Sequence, residues 1–171
     1  YKKNVAVIGS REYSDYGKAM TEKIVREIAD KVIIVSGLAK GIDSISHRQC
    51  LAYKGQAVAI LGSGIDNCYP KENRDLYEAI KKNHLLISEY PGDSDARKEN
   101  FPERNRLIAA SSNAVVVTEA KAKSGTIITV GHMLDLGREV LCVPHRADEG
   151  SQCNRLIAGG ATLVENGEDV L

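Results

Sequence analysis

Four turns in this sequence set small residues where an apolar run stops. They are Gly9-Ser10-Arg11 after Val5-Ala6-Val7-Ile8, Ser36-Gly37-Leu38-Ala39-Lys40-Gly41 after Val32-Ile33-Ile34-Val35, Gly62-Ser63-Gly64 after Ala57 to Leu61, and Ser124-Gly125-Thr126 beyond Ala114 to Val117. Small side chains let a ligand approach the backbone, and the N–H groups opening a following helix carry partial positive charge suited to phosphate. Arg11 and Lys40 add a cation to the first two turns, and an arginine so placed can grip a phosphate with two N–H groups. The spacing matches neither the G-x-x-x-x-G-K-[ST] of a P-loop nor the G-x-G-x-x-G of a dinucleotide fold, so neither ATP hydrolysis nor a nicotinamide cofactor is indicated. One nucleotide has no use for four donor turns. A run of consecutive phosphates does, and the pattern favours a strand-like polyanion.

A polar loop from Tyr90 to Pro102 is longer than ordinary connections in an α/β chain and leads into Glu103-Arg104-Asn105-Arg106, a helix start rich in guanidinium groups. Phe101, the single Phe of the chain, sits in that loop beside prolines. It reads either as an apolar anchor for the loop or as a stacking platform for a base. Asp43 and His47 stand at i, i+4 spacing. They could form a carboxylate-oriented imidazole base, but the favoured reading is a helix N-cap and a hydrogen-bonded structural histidine. Glu89 and Glu119 also end strands on the same rim, which keeps a carboxylate base and an enzyme in view. Cys142, His145 and Cys153 lack the second paired motif of a metal site, so no metal is expected. The four cysteines read as reduced, packed thiols.

The elements that must position these residues follow from hydrophobic periodicity. Short apolar runs at 5–8, 32–35, 57–61, 85–87, 114–117 and 140–143 are the mark of strands covered on both faces. Between them Met20, Ile24 and Ile28, then Leu76 and Ile80, then Ile127, Gly131 and Leu134, trace amphipathic helices. Strand alternating with helix predicts an α/β fold with a mostly parallel sheet. The 171 residues suit one domain over 1–171. With 23 basic and 23 acidic residues the formal charge is zero, so any nucleic-acid site must be local and not a general positive coat. No apolar run reaches a membrane span, and no membrane partner is expected. The Tyr at position 1 and the abrupt end at Leu171 are what a segment of a longer protein would show.

These motifs, with Leu61-Gly62-Ser63-Gly64-Ile65-Asp66, Tyr69-Pro70, Ser88-Glu89-Tyr90-Pro91, Asn100 to Ile108, Glu119-Ala120 and Asn154-Arg155-Leu156-Ile157, resemble the Rossmann-like core of the DNA processing protein A family (DprA, also called Smf). The likeness covers nearly all of the chain. It implies a Rossmann-like three-layer fold and a non-catalytic, cytoplasmic protein. Such a protein would bind single-stranded DNA, protect it, and load RecA onto it as a homodimer in natural transformation and recombination. By the same likeness Gly9, Ser10, Arg11, Ser36, Gly37, Lys40, Gly41, Asn100, Phe101, Arg104, Asn105, Arg106, Ser124, Gly125 and Thr126 would line the DNA groove. Phe101 would stack on a base, and Arg11, Lys40, Arg104 and Arg106 would hold phosphates; no cofactor is implied. Two positions depart from the family: His145 follows Val143-Pro144 where a glycine is usual, and Gln152 replaces another glycine. The runner-up is a LOG-like nucleotide phosphoribohydrolase, in whose P-G-G-x-G-T-x-x-E pattern Thr129 takes the place of the catalytic glutamate. A nucleotide-binding sensor is the third reading.

Overall fold

Along the first apolar run, side chains serve two faces in alternation, as the pleat of a strand dictates. In the computed structural model, which describes residues 1–171, that run is β1 (Asn4–Gly9). Val5 and Val7 pack with Ile24, Val25 and Ile28 of α1 (Asp15–Ile28). Ala6 and Ile8 pack with Ile108 of α4 (Asn100–Ala110) and with Val130 and Met133 of α5 (Gly125–Asp135). The remaining elements are β2 (Ile33–Ser36), α2 (Ile42–Ala52), β3 (Gln56–Ile60), α3 (Arg74–Asn83), β4 (Leu85–Ile87), β5 (Ala114–Glu119), β6 (Glu139–Cys142), α6 (Gln152–Ala158) and β7 (Thr162–Leu163). All seven strands lie in one sheet of order β4-β3-β2-β1-β5-β6-β7, and every pairing is parallel. Helices on both faces complete a three-layer α/β fold. All six residues of β5 are buried, which is why that strand shows as a continuous apolar run and not as an alternation.

The chain leaves β1 toward β2, β3 and β4, then returns to place β5 on the other side of β1. At such a reversal the loops leaving the two central strands diverge and open a crevice at their carboxyl ends. The predicted small-residue turns of β1 and β5 therefore face one another.

Four expectations need correction. The stripe Ile127, Gly131, Leu134 is not the buried face of α5. Ser124 caps the helix, its Oγ accepting from Thr126 N at 3.2 Å, and the helix turns Thr126, Thr129, Val130 and Met133 inward while Leu134 is exposed. Phe101 is not in a loop, because α4 starts one residue earlier, with Pro102 inside the first turn, where its missing N–H costs nothing. Asp43 is not the N-cap of α2. That position is Gly41, and the Asp43 carboxylate instead accepts from Gly37 N at 3.1 Å.

His47 is likewise not the hydrogen-bonded histidine expected from spacing. It is fully buried and neither ring nitrogen makes a hydrogen bond of normal geometry, although the Ser36 backbone lies near enough to favour the charged ring and partly oppose its burial. Burial lowers its pKa to about 3, and the charges of His84 and Arg104 push the same way. The folded value lies below the unfolded one, so the associated stability is present above about pH 6.5 and is lost as pH falls toward 3. The expected slope approaches about 1.4 kcal/mol per pH unit below 6. Urea midpoints compared across this range should fall less steeply for His47→Leu than for the wild type. At pH 7.5 the variant should be at least as stable, since it removes two unpaired polar atoms from the core.

Candidate functional site

At the β1/β5 crevice lies a groove of about 720 Å³. Gly9, Ser10 and Arg11 form its floor beyond β1, and Lys121, Lys123, Ser124, Gly125 and Thr126 form one wall beyond β5. Phe101, Arg104 and Asn105 of α4 form the facing wall, joined by Lys98 from the preceding loop and by Tyr69. The floor is stitched on both sides: Ser10 N donates to Glu119 O at 2.9 Å, and Ile42 N donates to Ser10 O at 3.2 Å. Gly41, with φ +82°, lies against the carbonyls of Ser10 and Arg11 so closely that a side chain there would strike both. Its smallness serves this packing of two turns, not the approach of a ligand.

Arg104 explains the shape of the α4 wall. It is only 4% exposed, and its Nη1 donates to Gly37 O and Ile60 O, both at 2.8 Å, while Nε donates to Asn105 Oδ1 at 3.1 Å. Burial lowers its pKa, and the nearby Asp43 carboxylate opposes that; burial in turn raises the pKa of Asp43. Asn105 carries the connection onward, donating from Nδ2 to Gly125 O at 3.1 Å. The guanidinium carbons of Arg11 and Arg104 stand 5.3 and 5.5 Å from the centre of the Phe101 ring, within cation–π range.

Of the residues expected at a binding groove, Gly9, Ser10, Arg11, Phe101, Arg104, Asn105, Ser124, Gly125 and Thr126 come together here. The others do not. Ser36 is buried and donates from Oγ to Val7 O at 2.8 Å, and Gly37 is spent on Asp43 and Arg104. Asn100 turns inward to donate to Gly62 O at 2.9 Å. Arg106 points out of the groove to pair with Glu89 on the surface. Lys40 and Gly41 open on a second depression, of about 380 Å³. There Lys18, Lys40 and Arg48 are each held by an acid, Glu22 at 3.9 Å, Glu72 at 3.3 Å and Asp75 at 2.8 Å.

The expected continuous rim of amide donors is also interrupted, because the protein uses several of those amides itself, among them Ser10 N, Gly37 N and Thr126 N. At the third turn Gly64 N donates to Ser94 O at 2.9 Å and Asp66 N to Gly92 O at 2.7 Å, closing the long loop over the strand end. Positive character in the main groove comes instead from side chains. Sequence reading missed Lys98, Lys121 and Lys123, all exposed and lining the groove; only Lys121 meets an acid, Glu12 at 3.6 Å. Their signal was present, since all three lie within the polar loop or between β5 and the Ser124 cap. Glu119 holds the start of α1: its carboxylate accepts from Ser14 N at 3.1 and 2.8 Å. Cys142 and Cys153 are buried in the core, and no three His, Cys, Asp or Glu side chains converge as a metal site.

The groove thus joins exposed lysines and Arg11 to an aromatic wall at the switch point of a parallel sheet. The family model for DNA recombination-mediator protein A matches residues 1–171. The DNA processing protein DprA of Streptococcus pneumoniae is 42% identical over 169 residues, spanning 98% of this chain and 60% of that protein. The X-ray structure of DprA from Streptococcus pneumoniae superposes with a TM-score of 0.95 at 41% identity, over 99% of this chain and 60% of that one. A Helicobacter pylori DNA processing protein A structure, described for its single-stranded DNA binding mode, gives 0.91 at 30% identity, over 98% of this chain and 78% of that one. The chain spans less than two thirds of the pneumococcal protein's length.

Proposed function

The chain belongs to the DNA recombination-mediator protein A family, and from that premise we propose that its groove binds single-stranded DNA without cutting it. The observation that carries this reading is the division of the groove into a cationic wall, Lys121 and Lys123 with Arg11 at the floor, and an aromatic wall, Phe101 and Tyr69. Single strands need both, a charged track for phosphates and π-faces for unpaired bases. Duplex DNA hides its base faces and would use only half of this site. The single-stranded DNA binding described for the Helicobacter pylori relative supports the same assignment. The proposed cellular role is protection of single strands in the cytoplasm and delivery to RecA, in natural transformation and recombination, by a homodimer. A non-catalytic role is supported by Thr129, buried in the groove wall at the position that is glutamate in the phosphoribohydrolase pattern P-G-G-x-G-T-x-x-E, and by Glu119, tied to the start of α1.

Fluorescence anisotropy with labelled oligo-dT of increasing length tests this reading. Affinity is expected to climb with length and then level off, to exceed that for duplex, and to fall by about sevenfold or more between roughly 50 and 200 mM salt if the groove neutralises two or more phosphates. Tight binding of a mononucleotide with no gain from length would replace this reading with a nucleotide sensor. Release of free base from a nucleoside monophosphate would replace it with an enzyme.

A further inference from the structure

Phe101 is well placed but poorly exposed. One side of its ring closes on Gly62, where a Cβ would stand 2.8 Å from Cδ1 and Cε1. Arg11 and Arg104 cover further parts of the same ring. Tyr69 is the complement. Its ring lies 5.5 Å from that of Phe101, tilted by 45°, lines the groove, and is 42% exposed. Its hydroxyl has no hydrogen-bond partner, whereas the hydroxyls of Tyr16, Tyr77 and Tyr90 bond to Pro144 O at 2.7 Å, Ile65 O at 2.6 Å and Glu103 at 2.9 Å. Those three tyrosines are tied into the fold, and Tyr69 is held only at its base. Cys68 beside it is buried, with Sγ donating to Pro70 O at 3.6 Å, and Asn73 donates to Leu38 O at 3.0 Å. A ring flanked by anchored neighbours and still 42% exposed is pre-organised for a flat ligand.

We propose that Tyr69 is a second stacking platform, so that two neighbouring bases of a single strand rest on the Tyr69 and Phe101 rings in succession. This rests on the single-stranded DNA reading of the groove. A base cannot slip between the two rings, because a sandwich needs two stacking intervals of about 3.4 Å each, more than the 5.5 Å present. The bases must therefore rest on what each ring leaves exposed, the open part of Tyr69 and the portion of Phe101 that Gly62 and the two arginines leave uncovered. A step of 5.5 Å between platforms also exceeds the roughly 3.4 Å rise of stacked DNA. The two bases must part from each other to occupy them. A single strand does so easily and a duplex does not, which makes this ring pair a source of selectivity for single strands.

The experiment compares wild type with Tyr69→Ala, Tyr69→Leu, Tyr69→Phe and Tyr69→Trp on oligo-dT and on an abasic oligomer of the same length. Loss of one stacked base is expected to weaken oligo-dT binding by roughly 5- to 150-fold in the Ala and Leu variants, with Phe and Trp within about twofold of wild type. The salt dependence should not change, since no phosphate contact is removed. On the abasic oligomer all five proteins should bind alike. Leu keeps apolar packing against Phe101, so it remains informative should Tyr69→Ala fail to fold. Equal binding of oligo-dT by wild type and Tyr69→Leu would overturn the inference while leaving the groove assignment intact. An equal loss on both oligomers would overturn it too, marking Tyr69 as a support for the groove. Wild type that binds no oligo-dT would instead overturn the groove assignment itself.

Discussion

Replacing Arg104 by alanine is expected to destabilise the fold by about 3–5 kcal/mol, the cost of breaking a buried charged cluster by removing one member. The guanidinium links three strand ends or turns at once: Gly37 O beyond β2, Ile60 O at the end of β3, and Asn105, which reaches Gly125 at the start of α5. Truncation leaves two buried carbonyls without a donor and leaves the Asp43 carboxylate, 6% exposed, facing a void. Arg104 and Asp43 flank Gly37 so tightly that a Cβ there would lie 2.8 Å from the guanidinium and 2.9 Å from Asp43 Oδ2. Lysine keeps the charge but cannot fork to these acceptors, so Arg104→Lys should recover less than half of the loss. Urea unfolding of Arg104→Ala, Asp43→Asn and the double variant checks the argument. The double variant should be less unstable than the sum of the singles, because the second change removes the charge that the first orphaned. Full additivity would mean that the two groups do not act as a unit.

How far the sequence foretold this molecule differs between frame and site. β1, β2, β3 and β5 were legible because strands covered on both faces must be apolar throughout. β7 was not, because its two residues are exposed and leave no apolar run. At the site, Arg11 and Ser124 to Thr126 could be read from position alone, since the ends of strands at a chain reversal meet at a crevice. The two arginines of α4 show the limit. Arg104 and Arg106 are two residues apart on one helix, so they cannot share a face; in the structure one is buried and the other pairs with Glu89 outside. Helix phase could have warned against assigning both to the same groove. Which of them would turn inward depended on where Asp43, Gly37 and Ile60 lie, and only tertiary packing brings those together. Tyr69 was hidden for the same reason: it reaches Phe101 from 32 residues away.

The second large effect concerns the three lysines that line the groove, Lys121 and Lys123 on one wall and Lys98 on the other. Changing Lys98, Lys121 and Lys123 together to alanine is expected to lower affinity for oligo-dT about 100-fold at roughly 0.1 M salt, and to flatten the slope of log affinity against log salt by about 2. The reasoning is counterion release: each single-strand phosphate neutralised contributes about 0.7 to that slope, so three contribute about 2 relative to binding at 1 M salt. These lysines are suited to the task because two of them meet no acid and the third is held by Glu12 across 3.6 Å on an exposed surface, a pair that a phosphate can displace. Lys18, Lys40 and Arg48 in the second depression are the internal control. All three lie outside the main groove, and each also faces a carboxylate, so alanine at all three should leave the slope nearly unchanged. All six side chains are exposed, so neither triple variant should move the urea midpoint by more than about 1 kcal/mol in stability. If the control variant lost the slope and the groove variant kept it, phosphates would run along α1 and α2 instead. The strand would then pass behind Gly41, and Phe101 would be only an anchor for α4.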